Sequence, residues 1–346
     1  MTSPLERLMK LPLDSGPLLI LTHDNPDPDS VASAAAMRVL LDQVRGVKGV
    51  VAYSGIIGRA ENRAMVDLLH LPMKHVSQLD LASFAHVALI DAQPHTGNSA
   101  LPTDRVPDIV IDHHPLRENT RRSPFYDVRE ELGASATLLT EYLREADVSV
   151  SPNLATALLY GIRSETHDLG REVSESDLLA YQFLFPIADP GKLATIARPT
   201  LSRRYYRELV VALASLQISE HAAICSLGEV INPDFVPEIA DLAVRMEGIV
   251  WSLVHGSFDE NLYVSIRTND TEASAGDVMQ SILRELGRGG GHGMRAGGKV
   301  NLGGVDLERD ELERLLKERF LDETGYAEEP MHYLASEPIG HNGTEP

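Results

Sequence analysis

The sequence predicts an α/β protein: an N-terminal domain built on a parallel sheet with helices on both faces, and a smaller C-terminal α+β domain reached through a helical linker. Three observations carry this expectation. Apolar runs alternate with stretches of helical periodicity from about residue 17 to about 190, the pattern of a parallel sheet covered by helices. Three of those runs end in histidine or aspartate. Beyond about residue 218 the pattern changes to shorter strands with only intermittent helices.

Taken in order, residues 18–22 (Leu-Leu-Ile-Leu-Thr) form the first strand and lead through His23-Asp24-Asn25-Pro26-Asp27-Pro28-Asp29 into a helix from Ser30, with Val31, Ala35, Val39 and Leu40 on one face. A strand over 47–53 and a helix over 59–70 follow. The runs 87–90 and 106–111 are strands that end in Asp91 and in Asp112-His113-His114. Helices are expected over 134–145 and 151–162, the second running into Arg163-Ser164-Glu165-Thr166-His167-Asp168. Helices over 174–184 and 193–216, punctuated by Pro186, Pro190-Gly191 and Pro199, place the domain boundary there. The first domain is thus expected at 1–188 and the linker at 189–217. The C-terminal domain, 218–326, has strands over 221–227, 248–255 and 262–267, and helices over 233–246, 275–286 and 306–320. Residues 287–298 hold too many glycines for helix or strand and are expected as a loop. Residues 327–346 have no periodicity and are expected to be disordered.

With 346 residues and 43% hydrophobic content, each domain can bury a core. A net charge of −20 excludes a broad basic groove for long duplex nucleic acid, while a short anionic substrate stays compatible. The single cysteine, Cys225, excludes an intramolecular disulfide and a thiolate metal cage, and fits a reducing compartment. The N-terminus has no basic region followed by an apolar one, and no run approaches the roughly 20 apolar residues of a membrane span. A soluble, cytoplasmic protein without membrane partners is expected.

Acidic side chains at the ends of strands need a charged partner, and divalent cations supply one. Asp27 and Asp29, two apart in an extended segment made tight by Pro26 and Pro28, address one site with His23. Adjacent histidines point in different directions, so His113 and His114 can serve as ligand and as substrate contact. Carboxylate oxygen with imidazole nitrogen suits Mn²⁺, with Mg²⁺, Co²⁺ or Zn²⁺ as alternatives. In the C-terminal domain, Gly289, Gly290 and Gly291 with Arg288, His292 and Arg295 form a candidate anion pocket.

The ordered set His23-x3-Asp27-x-Asp29, Asp91, Asp112-His113-His114 and Gly289-Gly290-Gly291-His292 resembles the DHH phosphoesterases with a DHH-associated C-terminal domain, the branch of NrnA-type nanoRNase/pAp phosphatases, cyclic-dinucleotide phosphodiesterases and RecJ. The resemblance implies two metal ions. One would be held by His23, Asp27 and Asp91, the other by Asp29, Asp91, His113 and an acid of a fourth motif. His114 would face the scissile phosphate, and Asp112 would orient a neighbour. The fourth motif departs from the family: Gly161-Ile162-Arg163-Ser164-Glu165-Thr166 offers Glu165 where the family has aspartate, with Asp168 as the alternative. Arg267 joins Arg288, His292 and Arg295 in substrate recognition. Implied activities are hydrolysis of nanoRNA, pAp or a cyclic dinucleotide, in a monomer or homodimer. A pyrophosphatase-like hydrolase and a weakened nucleotide-binding regulator are the alternatives.

Overall fold

The computed structural model describes residues 2–13, 16–170 and 173–337, with the side chain of His292 outside the description. It divides into two units, Met1–Thr200 and Leu201–Pro346.

The first unit runs α1 (Pro4–Leu8), β1 (Leu18–Leu21), α2 (Pro28–Arg45), β2 (Gly49–Tyr53), α3 (Ala60–Leu69), β3 (Met73–His75), β4 (His86–Ile90), β5 (Ile109–Asp112), β6 (Phe125–Val128), α4 (Ser135–Glu145), α5 (Pro152–Glu165), α6 (Glu175–Leu184) and α7 (Pro190–Ala197). Its six strands pair in parallel in the order β3-β2-β1-β4-β5-β6. The chain leaves β1 for β2 on one side and later returns to β4 on the other. That reversal opens a crevice at the carboxyl ends of β1 and β4, where open sheets bind ligands. His23 follows β1 and Asp91 follows β4.

Why the sheet is buried follows from its residues. Leu18 and Ile20 pack with α2, α4 and α5 on one face, and Leu19 and Leu21 pack with Phe84, Val87 and Leu89 on the other. Each such leucine contributes about 2 kcal/mol by leaving water. Asp27 caps α2, its Oδ1 accepting from Ser30 N at 2.9 Å, and Pro28 takes the first helical position, where a missing N–H costs nothing. Small residues let α5 come close to this end of α2: a Cβ on Gly161 would stand 3.1 Å from Asp29 Cα. The motif acid Glu165, one turn further on, is thereby carried to the ligand-bearing end of α2.

The second unit runs α8 (Arg203–Ser215), β7 (Leu216–Ile218), β8 (Ala222–Glu229), α9 (Phe235–Ala243), β9 (Trp251–Phe258), β10 (Asn261–Thr268), α10 (Ala275–Ile282), β11 (Arg288–His292), β12 (Arg295–Asn301), α11 (Arg309–Thr324) and β13 (His332–Tyr333). Its sheet has the order β11-β12-β10-β9-β8-β7-β13 and is antiparallel except between β8 and β9.

Three expectations need correction. The glycine-rich segment is not an open loop: β11 and β12 form a hairpin, with Gly289 opposite Gly298 and Gly291 opposite Ala296. Its glycines serve packing, because α10 lies directly on the hairpin and a Cβ on Gly276 would stand 2.3 Å from the carbonyl oxygen of Gly291. Gly276→Ala is therefore expected to destabilise the chain by about 1–3 kcal/mol, read from urea unfolding. The helix expected over 193–216, and with it the linker over 189–217, divides at Thr200: α7 packs on α3 and α5, whereas α8 packs on β8. Pro199 removes the backbone donor that a continuous helix needs. Finally, residues 327–337 are not structureless, since β13 adds to β7 and Glu329 binds His221; residues 338–346 lie outside the described part. Among the described residues no helix is long and apolar enough to cross a membrane.

Candidate metal centre

The site grows from three strand ends and two helix ends. After β1, His23 donates from Nδ1 to the Asp24 carbonyl at 2.8 Å, which turns Nε2 toward the carboxylates. That Nε2 stands 3.6 Å from Asp27 Oδ2 and 3.6 Å from Asp91 Oδ2. Such separations are too long for hydrogen bonds, and two atoms bound to one cation at about 2.1 Å stand apart by a comparable distance.

Asp91 is the hub. It follows β4 in the left-handed region, φ 56°, which a non-glycine residue occupies only where its surroundings hold it there. Its N–H donates to Ile111 O at 2.8 Å, and Ser135 Oγ donates to its Oδ1 at 2.9 Å. While Oδ2 faces His23, Oδ1 faces His113 Nε2 at 3.6 Å. One carboxylate thus addresses two donor groups.

His113 donates from Nδ1 to Leu132 O at 3.2 Å and turns Nε2 toward Asp91 and, at 3.9 Å, toward Asp29 Oδ2. Asp29 is fully buried and accepts from the backbone N–H groups of Ser135 and Ala136 at 2.8 and 2.7 Å. It thereby caps the first turn of α4, whose own N-cap residue, Ala134, has no side chain for the task. Glu165, half-buried at the end of α5, adds its charge to the surroundings of Asp29 and His114. The alternative acid, Asp168, is not in the cluster: it is 70% exposed and accepts from Arg163 Nε at 2.6 Å.

Asp112 ends β5 almost fully buried. Its Oδ1 accepts from His113 N at 2.9 Å and His114 Nδ1 at 2.8 Å, and its Oδ2 accepts from Gln93 Nε2 at 2.6 Å. It therefore orients both histidines without facing the cluster itself. His114 Nδ1 stands 3.9 Å from Asp91 Oδ1 and is held at 2.8 Å by Asp112 Oδ1.

Charge follows this geometry. Burial works against the charged form of His114, yet the Asp112 hydrogen bond and the charges of Asp112, Asp91 and Glu165 push it up to about 9. Burial likewise opposes ionisation of Asp112 and Asp27, but His114 holds the first, and His23 with the Ser30 N–H the second, below the usual carboxylate range. Asp29 goes the other way: burial first, then the charges of Asp91, Asp27 and Glu165, hold its carboxyl well above that range. Asp27, Asp29, Asp91 and Glu165 crowd their charges here, and that crowding favours a proton on Asp29 and on His23. Carboxylate and imidazole donors in this arrangement fit divalent cations such as Mn²⁺, Mg²⁺, Co²⁺ or Zn²⁺.

A pH dependence follows for the chelated protein. His114 is raised, so its pairing contributes fully below its ordinary 6.5 and is lost as pH rises through about 9. Asp112 is lowered, so its contribution is present above its ordinary 3.8 and is lost as pH falls below that. Titration of the His114 ring by ¹⁵N NMR is expected to give a midpoint near about 9. In Asp112→Asn the midpoint moves down.

In the second unit the expected substrate contacts lie on three neighbouring strands. Register sets Arg267, Arg295 and His292 in one row across β10, β12 and β11, with Arg288 at the other end of β11 opposite Lys299. Arg267 is bound within its own unit, to Asp241, to Ser265 Oγ at 2.8 Å and to Ile266 O at 2.9 Å. The backbone of Gly289, Gly290 and Gly291 pairs with β12, so those glycines form a strand and not a loop cradle; the His292 side chain lies outside the described residues.

Two residues of the centre escape sequence reasoning. Ser135 and Gln93 reach Asp91 and Asp112 across 44 and 19 residues, and no periodicity announces them.

Residues 17–162 match the DHH family, N-terminal domain, and residues 219–320 match the DHHA1 domain. An uncharacterized protein of Methanocaldococcus jannaschii is 37% identical over 322 residues, 90% of this chain and 65% of that protein. A probable manganese-dependent inorganic pyrophosphatase of Deinococcus radiodurans is 30% identical over 175 residues, 49% of this chain and 54% of that protein. The chain thus spans less than two thirds of the length of these relatives. The crystal structure of an exopolyphosphatase-related protein from Bacteroides fragilis aligns with a TM-score of 0.73 and 13% identity, covering 94% of this chain and 97% of that one, which shows a shared fold.

Proposed function

The chain belongs to the DHH family, and from its metal centre we propose that it is a divalent-metal-dependent hydrolase of phosphoesters, acting on short oligonucleotides, pAp or a cyclic or linear dinucleotide. The observation that carries the reading is Asp91, whose two oxygens face separate donor groups at 3.6 Å each. Cations held there would supply Lewis acidity and neutralise phosphoryl oxygens. His23, Asp27 and Asp91 would hold one, and Asp91, His113, Asp29 and Glu165 the other.

The chain's own residues do the rest. Asp112 fixes the His114 tautomer, with the proton on Nδ1, and stabilises its charged form. A charged His114 beside the cluster donates to a phosphoryl oxygen, or gives up a proton to the leaving oxygen. Buried Asp29 ties the cluster to α4, so the centre keeps its shape without substrate. Arg267, Arg288, Arg295 and His292 remain proposed contacts to the far phosphate or base. Cytoplasmic location and homodimerisation remain proposals of the same kind.

A second reading, a pyrophosphatase, rests on the similarity of 49% of this chain to the Deinococcus relative. The match of residues 219–320 to the DHHA1 domain favours the nucleotide reading. Hydrolysis with Mn²⁺ of a panel holding an RNA dinucleotide, a longer RNA, pAp, a cyclic dinucleotide and pyrophosphate separates them. Release of mononucleotides or AMP is expected; cleavage of pyrophosphate alone would overturn the proposal. Silence on every compound with metal bound would move the reading to a nucleotide-binding regulator.

A further inference from the structure

The Gln93 side chain makes five hydrogen bonds beside the site, and no strand or helix requires it. It lies two residues past Asp91 and is 2% exposed. Its Nε2 donates to Asp112 Oδ2 at 2.6 Å and to the carbonyls of Pro115 at 3.1 Å and His114 at 3.4 Å. Its Oε1 accepts from Arg117 N at 2.7 Å and Thr120 Oγ1 at 2.8 Å. Every group on the nitrogen side is an acceptor and both groups on the oxygen side are donors, so the amide has one orientation. Only a side chain that donates at one end and accepts at the other satisfies both sets. A carboxylate would meet Asp112 with like charge, and an apolar side chain would leave buried Asp112 Oδ2 and the Arg117 N–H without partners.

The lone pairs of Asp112 are thereby divided. Oδ2 is committed to Gln93, and Oδ1 to His113 N and His114 Nδ1. Rotation of the carboxylate would break both sets at once. The same amide ties down the segment that follows His114 at Pro115, Arg117 and Thr120. We propose that Gln93 is a positioning residue for the hydrolysis, holding Asp112, and through it the His114 ring, in the single orientation that serves the leaving oxygen. The inference rests on the hydrolase reading above.

Gln93→Glu keeps the acceptor for Arg117 and Thr120 and removes the donor to Asp112. Its kcat on an RNA dinucleotide, whose leaving group is an alkoxide, is expected to fall about 10–100-fold, with KM changed by no more than about twofold. Hydrolysis of a p-nitrophenyl ester, which needs little proton donation, is expected to fall far less. A purely structural role would lower both alike. A second variant, Gln93→Asn, is one methylene short, and in the chelated protein it is expected to speed hydrogen exchange of the Arg117 amide at least about tenfold while the core amides stay protected. Equal losses on the two esters, or an unchanged Arg117 amide, would overturn the inference alone. Wild-type protein inert on both esters would overturn the hydrolase reading, and the inference with it.

Discussion

Asp91→Asn is expected to lower kcat/KM at least about 10³-fold, beyond the 10–100-fold typical of residues that only support a ligand. The asparagine keeps the size of the side chain and tolerates the φ of 56° found at this position, so the backbone has no reason to move. Chemistry changes instead. Asp91 presents one anionic oxygen to His23 Nε2 and the other to His113 Nε2. An amide has a single oxygen for one of these groups and turns an NH₂ toward the other, which cannot bind a cation. One cation position would lose its oxygen donor, and the other would keep only a neutral amide oxygen where an anionic one stood. Because Asp91 is also first among the charges that hold the Asp29 carboxyl up, its removal relieves the chelated protein of repulsion. Unfolding of the chelated variant is therefore expected within about 1 kcal/mol of the chelated wild type, which separates a loss of function from a loss of fold.

Metal removal has the second large effect. Mn²⁺ at a hundredfold excess over its dissociation constant is expected to stabilise the chain by about 2.7 kcal/mol per site, and a chelator reverses it. The size of this effect grows with pH. In the absence of a cation, burial and the neighbouring carboxylates favour a proton on Asp29, and against burial Asp27 and Asp91 favour one on the His23 ring, so protons compete with a cation at both residues. As pH rises, the proton competes less and the gap between loaded and chelated protein widens. Thermal scans at several pH values, with and without chelator, read it. A gap that narrows with rising pH would contradict the electrostatic account of the site.

Much of the fold and the centre is legible in the residues because the decisive signals are local. An apolar run followed by His-x3-Asp-x-Asp, or by Asp-His-His, needs only strand geometry to place ligands at one end of a parallel sheet. The parts that are not legible depend on contacts between distant segments. Asp29 caps a helix that begins 106 residues later, and Ser135 reaches Asp91 from the same turn. Asp168 is a reasonable alternative to Glu165 by spacing, but Arg163 five residues earlier holds it at the surface. Glycine content misleads most at residues 287–298, since loops and closely packed strands both select glycine. What distinguishes them is the approach of α10, so close that a Cβ added to Gly276 would stand 2.3 Å from the Gly291 carbonyl oxygen. Likewise the helical periodicity of 193–216 carries over a break that Pro199 imposes on the backbone.

The most direct test of the account is a count of Mn²⁺ bound per chain, by equilibrium dialysis with elemental analysis, combined with electron paramagnetic resonance of the same samples. The two donor groups that share Asp91 predict two ions in the wild type with a spin-coupled spectrum, and a single uncoupled ion in Asp91→Asn. A single uncoupled ion in the wild type, or two coupled ions that persist in Asp91→Asn, would contradict the claim that this carboxylate joins two cation sites.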